Sequence, residues 1–524
     1  GEETEEKGEV FAYLDEQAMA LHQYKIGHKC GESWECASDL VCMEGVCATC
    51  ETSDDCLTAR DQFVCITTQE QSELKHNVCR HKPVWPLDWK DWIQIIMCFL
   101  VTVLAAPVGI GGGGILVPLF IYFGNFGAHA AIPLSKATIF GGAIANSLLN
   151  LQRRHPFANR PLVDWVALKL VVPNLLAGTV FGVLLLALAP AWVVLILVCF
   201  VMAYNAYKTS YRAVADFHAY IKQMQENELE AKWDEKKKEK RKTECKLHWS
   251  YLVSENSEIR DIVKKESVFD FKALGLVLVA WLIVASAEII KGAFTECGGF
   301  WFYFLAVAPV PFLMIMTWRT SKDVVETHER KVALGLKFVK GETRWTRDCV
   351  SSLSVLSLFA GAAAGALGIA AALLIGPLLL QAGMHPSVSM ACTGFMILIV
   401  SSATTLQFLS MGELKLDYAM FFCAASLLGG GIGNTLMAVL VKRLKTAWFL
   451  VAILAAFLVL SAISLGFIGV EEFVTTWEHG DWADVHDFCS DSDSMLVGRE
   501  EGYGANTLHR LGKTLIPNGF NHMW

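Results

Sequence analysis

The sequence predicts an all-α polytopic membrane protein: an inverted repeat with broken or re-entrant Gly-rich helices, preceded by a small disulfide-rich N-terminal exterior module. Three observations predict it. Long apolar runs follow one another between residues 92 and 469, a Gly- and Pro-rich element occurs twice in related form, and eight cysteines crowd into residues 30–79.

Composition sets the class. The chain has 524 residues, 54% hydrophobic and only 18% charged, with a mean hydropathy of +0.40. Soluble domains carry about 25% charged residues, and only a bilayer accommodates repeated apolar runs of this length. A cytosolic globular protein is excluded, as are disordered, collagenous and nucleic-acid-binding chains. The net charge of −8 hides a division: residues 1–91 are net −11 and residues 471–524 net −7, leaving a middle that is net +10.

In chain order, residues 1–29 form an acidic segment and residues 30–82 the cysteine module. Cys30, Cys36, Cys42, Cys47, Cys50, Cys56, Cys65 and Cys79 are an even, dense set in a polar segment, which reads as a disulfide framework on an oxidising side. The connectivity stays open. Zinc is the rival for the Cys47/Cys50 CxxC, but no second CxxC or His pair accompanies it. Trp85, Trp89 and Trp92 then mark the membrane interface.

Residues 92–207 form transmembrane repeat 1, and 208–268 a charged cytoplasmic loop. Residues 271–317 form a linking helix pair, 319–348 a basic cytoplasmic loop, 350–470 transmembrane repeat 2, and 471–524 an acidic exterior tail. The element 92–123 contains PVGIGGGGILVP, whose two prolines and five glycines are too many for one continuous helix. If it crosses once, Arg153, Arg154, Arg160 and the Lys-rich loop face outside, against the positive-inside rule. If it dips and returns, every basic loop falls inside, and the cysteine module and tail lie on the extracellular or lumenal side.

The repeat aligns PVGIGGGGILVPLFIYFG with AGALGIAAALLIGPLLLQAG, matching Gly109 to Gly368, Pro118 to Pro377 and Gly124 to Gly383. After a four-residue slip, LSKATIFGGAIANSLLNLQ aligns with SMACTGFMILIVSSATTLQ, so Thr138 falls on Thr393 and Gln152 on Gln407. Gly178 and Gly182 then meet Gly429 and Gly433. Inverted repeats with broken helices are the architecture of secondary transporters, which bind substrate where the repeats meet.

Together GIGGGGILVP, LSKATIFGGA, NLQRRHP and the second-half GALG…IGPLLL resemble the sulfite exporter TauE/SafE family of anion permeases, most closely its eukaryotic branch. The resemblance covers about 92–207 and 350–470. It implies a secondary transporter or exporter of a small sulfur-containing anion. The sequence holds no GxSxG, HExxH or Walker A pattern and no membrane-embedded His cluster, so no enzymatic activity, cofactor or metal is expected. One departure stands out: Ala370, Ala371 and Ala372 occupy positions where glycines are expected, so this half is expected to bind differently or the cycle to be altered.

Moving an oxyanion through a bilayer requires donors that replace its water. The break at Gly109, Gly111, Gly112, Gly113 and Gly114, with Gly368 in the second copy, offers backbone N–H groups and a positive helix end. Tight helix packing is the plainer use of the same glycines. Lys136, just after Pro133, which suits the first turn of its helix, is the expected counter-charge, with Ser135, Thr138 and Thr393 as neutral donors; a lysine snorkelling to the interface is the rival. The polar stripes Asn146, Asn150, Ser401, Ser402, Thr404, Thr405 and Gln407 are expected mainly to hold helices together. Glu288 and Lys291 are expected to form a surface ion pair. The competing function is a non-transporting membrane scaffold or complex subunit that binds a protein partner, or forms a homo-oligomer, through the exterior module and tail.

Overall fold

The computed structural model describes residues 41–43, 46–50, 52, 55–56, 62–69, 75–109, 111–155, 160–188, 191–230, 270–295, 299–335, 343–444 and scattered helical positions between 452 and 470. Cys30, Cys36, the acidic segment 1–29 and the tail 471–524 lie outside the described residues.

The cysteine module is built of two short antiparallel hairpins. Strand β1 (Val41–Met43) pairs with β2 (Val46–Ala48), and β3 (Phe63–Gln69) with β4 (Lys75–His81). Cys50 is bonded to Cys65, and Cys56 is also disulfide-bonded. The three sulfurs lie within 4.8 Å of one another, and all three are taken up in disulfides. Cys42 stands opposite Cys47, and Cys79 opposite Cys65.

The remaining elements are helical. Helix α1 (Trp89–Ala105) begins at a capping box formed by Asp88 and Asp91, and passes into a 3-10 turn at Ala106–Val108. Gly109 then takes a left-handed conformation, Gly111 and Gly112 do the same, and α2 (Gly113–Gly124) starts afresh. The chain continues through α3 (Ala128–Leu151), α4 (Trp165–Leu188) and α5 (Ala191–Glu230). The linking helices follow: α6 (Phe271–Phe294), α7 (Phe300–Val307) and α8 (Pro309–Ala333). The second copy comprises α9 (Arg347–Leu367), α10 (Ala372–Gln381), α11 (Pro386–Met411) and α12 (Leu416–Leu444).

Three boundaries differ from those read in the sequence. Helix α5 does not stop at 207 but carries the first part of the charged loop as helix to Glu230, and α8 extends to Ala333. Hydropathy marks where a helix leaves the bilayer, whereas Lys, Glu and Gln continue a helix readily in water. Pro133 lies inside α3 rather than in its first turn, because α3 begins at Ala128.

Among the described residues, six helices, counting α7 and α8 as one, are long and apolar enough to cross a membrane. In α4 and α11, 78% of the apolar window is buried, against 39% in α6 and 33% over α7–α8. The first pair is therefore central and the linking helices are peripheral. Phe300, Trp301, Phe304, Phe312, Ile315, Phe359 and Leu428 are exposed, an apolar surface of the kind that faces lipid. The chain is an integral, multi-pass membrane protein.

The two copies are threaded through one another. One core draws chiefly on α1, α2, α3 and α12, the other on α4, α6 and α8 to α11. Each bundle thus takes its fourth repeat helix from the opposite copy. Glycines make the exchange possible: a Cβ at Gly178 or Gly182 of α4 would collide with the carbonyl oxygens of Leu358 and Ala362 on α9. At the matching Gly429 of α12 it would lie 2.6 Å from the Phe99 oxygen of α1, and at Gly433 it would collide with that of Val103. Phe99 matches Leu358, and Val103 matches Ala362, in the same register that pairs Gly109 with Gly368. A single pseudo-twofold operation relates the two seams.

Candidate substrate site

The two breaks meet at the seam between the bundles. A Cβ at Gly113, the first residue of α2, would lie 2.7 Å from the Gly368 oxygen and 3.3 Å from the Ala370 nitrogen. Gly111 approaches the Ala370 side chain just as closely, whereas Gly112 packs back on Val101 and Ala105 of α1. Gly114 is buried in the first turn of α2. The N-termini of α2 and α10 therefore converge, and each presents the positive end of a helix dipole.

The second break keeps its bend with fewer glycines. Gly368 ends α9 at φ 66°, in the left-handed region that an L side chain adopts only with strain. The three alanines after it avoid positive φ, and Ala371 caps α10 in an ordinary right-handed conformation.

Helix α3 grips this second break with two consecutive side chains. Ser135 Oγ donates to the Gly368 oxygen at 3.0 Å and to that of Ile132 at 2.9 Å. Lys136 Nζ donates to the Ile369 oxygen at 2.7 Å. Lys136 is only 1% exposed, so it does not snorkel to an interface. Among the described residues no carboxylate pairs with it, and an ammonium with one carbonyl partner keeps two N–H donors in hand.

The two threonines behave as counterparts. Thr138 Oγ1 donates back to Leu134 at 2.8 Å and Thr393 Oγ1 back to Met390 at 3.1 Å. Thr393 also meets the first break, since a Cβ at Gly109 would lie 2.7 Å from its hydroxyl and from the Met390 oxygen. The structure thus gathers Gly109, Gly111, Gly113, Ser135, Lys136, Thr393 and Gly368 about one seam, with Thr138 a turn away on α3.

Most of the polar stripe is tied locally. Ser401 and Thr404 bond to carbonyls of their own helix, and Ser402 also accepts from Trp281 of α6 at 2.9 Å. Thr405 Oγ1 and both side-chain atoms of Gln407 are buried without a partner among the described residues.

Two clusters escape a sequence reading. Glu288 and Lys291 do pair, at 2.5 Å, but the pair is buried at 2% and 1% exposure rather than lying at the surface. Ser410 of α11 donates to Glu288 at 2.9 Å, and Lys291 sits over the Phe302 ring. The spacing of three residues is the same for an exposed and a buried pair, so only packing decides. The second cluster joins the cysteine module to the helices. Lys82 bonds to Asp88 at 2.5 Å and to the buried Asp91 at 2.6 Å, and the Val84 N–H donates to Asp417 at 3.0 Å. His81, the last residue of β4, stacks on Phe126 and bonds through Nε2 to the Gly124 oxygen at the end of α2, at 2.9 Å. Burial, with the Lys415 ammonium nearby, outweighs its two carbonyl contacts and lowers the His81 pKa to about 4.

Comparison with known proteins agrees with this architecture. The family model described as sulfite exporter TauE/SafE matches residues 94–249 and 264–465. Among curated relatives, sulfite exporter TauE/SafE family protein 3 of Arabidopsis thaliana is 23% identical over 428 residues, covering 78% of this chain and 85% of that protein. Family protein 5 of the same plant is 24% identical over 393 residues, with 74% and 84% covered. Family protein 1 is 24% identical over 390 residues, with 71% and 82% covered. No solved structure matches. With its duplicated broken helices and a match spanning nearly the whole membrane part, the chain belongs to the sulfite exporter TauE/SafE family of membrane transporters.

Proposed function

We propose that this protein is a secondary transporter of a small sulfur-containing anion, sulfite or a sulfonate, and that the anion binds at the seam beside Lys136. One observation carries the reading: a fully buried cation without a carboxylate partner among the described residues stands where two half-helix N-termini converge. A buried uncompensated charge is costly in a membrane, and an anion lodged there offsets that cost. Ser135 and the N–H groups at the starts of α2 and α10 complete a donor set of neutral and charged groups. Thr393 closes it from α11.

In this reading alternating access would run between the bundles that the exchanged helices build. The rigid bodies are the two bundles rather than the two sequence halves, and they share the Lys136–Ile369 and Ser135–Gly368 contacts. Rocking about that seam would expose the site to each side in turn. On the positive-inside rule, the cysteine module and the tail would lie on the extracellular or lumenal side.

The scaffold alternative draws on the alanines at 370–372. Their ordinary backbone conformation favours transport instead, since the bend at Gly368 and the helix start at Ala372 persist without glycines at 370–372.

The test is uptake of labelled sulfite into proteoliposomes by the intact protein and by Lys136→Ala. Saturable uptake reduced at least about 100-fold by the substitution, with the melting temperature retained, is expected; loss of a buried charge–anion contact is worth roughly 3 kcal/mol. Undiminished uptake would remove Lys136 from the site, and absence of uptake by the intact protein would favour the scaffold.

A further inference from the structure

A second cation without a carboxylate partner among the described residues lies just past the C-terminal end of α3. Arg153 donates from Nη1 to Asn150 Oδ1 at 3.1 Å and from Nη2 to the Asn434 carbonyl at 3.4 Å, both neutral oxygens. Asn150 in turn donates from Nδ2 to Asn146 Oδ1 at 2.7 Å. The bonds run one way, so the last amide in the series, Asn146 Nδ2, is left as a donor with no acceptor among the described residues. Asn146 is only 3% exposed, and its amide fills the space that a Cβ would occupy on Gly394 of α11. Ser147 donates to the Gly394 oxygen beside it.

Gly394 follows Thr393, whose hydroxyl touches the first break. A line of donors therefore leads from the partly exposed Arg153 into the seam. It spans about 25 Å of helix rise between Arg153 and Lys136, most of the hydrocarbon thickness. A purely structural ladder would leave its terminal amide matched by an acceptor.

We infer that Arg153, Asn150 and Asn146 form a second oxyanion subsite, an approach station between the Lys136 site and the surface at the C-terminal end of α3. Guanidinium and amide N–H groups suit a small oxyanion, which the guanidinium can meet with two parallel bonds. The inference rests on the proposed Lys136 site, to which this station leads.

The test uses the full chain in proteoliposomes with sulfite as probe. Asn150→Asp keeps the shape of the side chain but sets a carboxylate against Arg153, neutralising the station. Uptake is expected to fall roughly tenfold, the scale of one charge-assisted contact, with an unchanged or raised melting temperature. Equilibrium sulfite binding, lost in Lys136→Ala, is expected to stay within about twofold of the unsubstituted protein in Asn150→Asp. Full uptake by Asn150→Asp would overturn the inference, because a structural ladder gains from the new ion pair. Should that variant melt early, Arg153→Lys and Arg153→Gln decide at equal melting temperature. Retention of most uptake by the lysine alone supports the station, and equal uptake by the two overturns it. Absence of sulfite binding by the unsubstituted protein removes the Lys136 reading and this one with it, a result distinct from either.

Discussion

The two breaks share a backbone plan and differ in what holds them. The first is bent by three left-handed glycines, and its half-helix α2 is clasped at the far end by His81 of the cysteine module. The second is bent by Gly368 alone, its half-helix ends at an open Gly383, and it is gripped at the bend by Ser135 and Lys136. The positions of α11 that match Ser135 and Lys136 are Met390 and Ala391, which offer no such side-chain donors. Pseudo-symmetry therefore governs the path of the chain, while the polar chemistry is supplied by one copy to the other. The alanines of the second break lie where a lysine already occupies the adjoining space, and the glycines of the first lie where close backbone approach is all that holds the bend.

Alanine at each bend measures this difference most directly. Gly109→Ala is expected to cost about 3 kcal/mol, because the left-handed strain of roughly 1–2 kcal/mol adds to contact with the Met390 backbone oxygen. Gly368→Ala is expected to cost about 2 kcal/mol, since its neighbours are the side chains of Val117, Ser135 and Ile132, which can yield. Thermal unfolding of the two purified variants compares them, and equal losses would erase the distinction between the bends.

The clasp on the first copy predicts acid sensitivity. His81 is held neutral with its pKa lowered from 6.5 to about 4. An unfolded chain takes up a proton below about pH 6.5, and the folded chain only near 4. Stability is therefore full above pH 6.5 and falls as pH drops towards 4, by up to about 3 kcal/mol. Unfolding followed across that range should show a slope that His81→Gln flattens; an unaltered slope would show that the clasp does not titrate.

The smallest effect is expected at the grip on the second copy. Ser135→Ala removes one hydrogen bond across the seam, worth about 1 kcal/mol, whereas Met390→Ala at the matching position removes no side-chain bond to the first break. A thermal shift for Ser135→Ala no larger than that of a surface serine would remove Ser135 from the grip.

Much of this was legible in the residues. The repeat, the glycine matches of α4 and α12, and the broken character of 92–123 all leave local or periodic traces, because each depends on small residues at fixed spacing. The candidate residues from Gly109 to Thr138 stood out because a lysine in an apolar run is conspicuous. The exchange of α4 and α12 between bundles left no such trace: a glycine face shows that something packs closely and not which helix does. The bond from Val84 to Asp417 joins residues more than 300 positions apart, so neither predicts the other. Burial of Glu288 and Lys291, and the continuation of α5 to Glu230, were likewise invisible, since neither changes spacing or composition along the chain.

The glycine seams carry a consequence for biogenesis. When the ribosome has released α1 to α4, the backbone of α1 near Phe99 and Val103 and the glycine face of α4 still await partners that have not been made. Neither surface can close on the other, because each fits a helix of the second copy. The nascent first half is therefore an assembly intermediate with two open grooves, and a chain truncated before α9 would present membrane quality control with both of them.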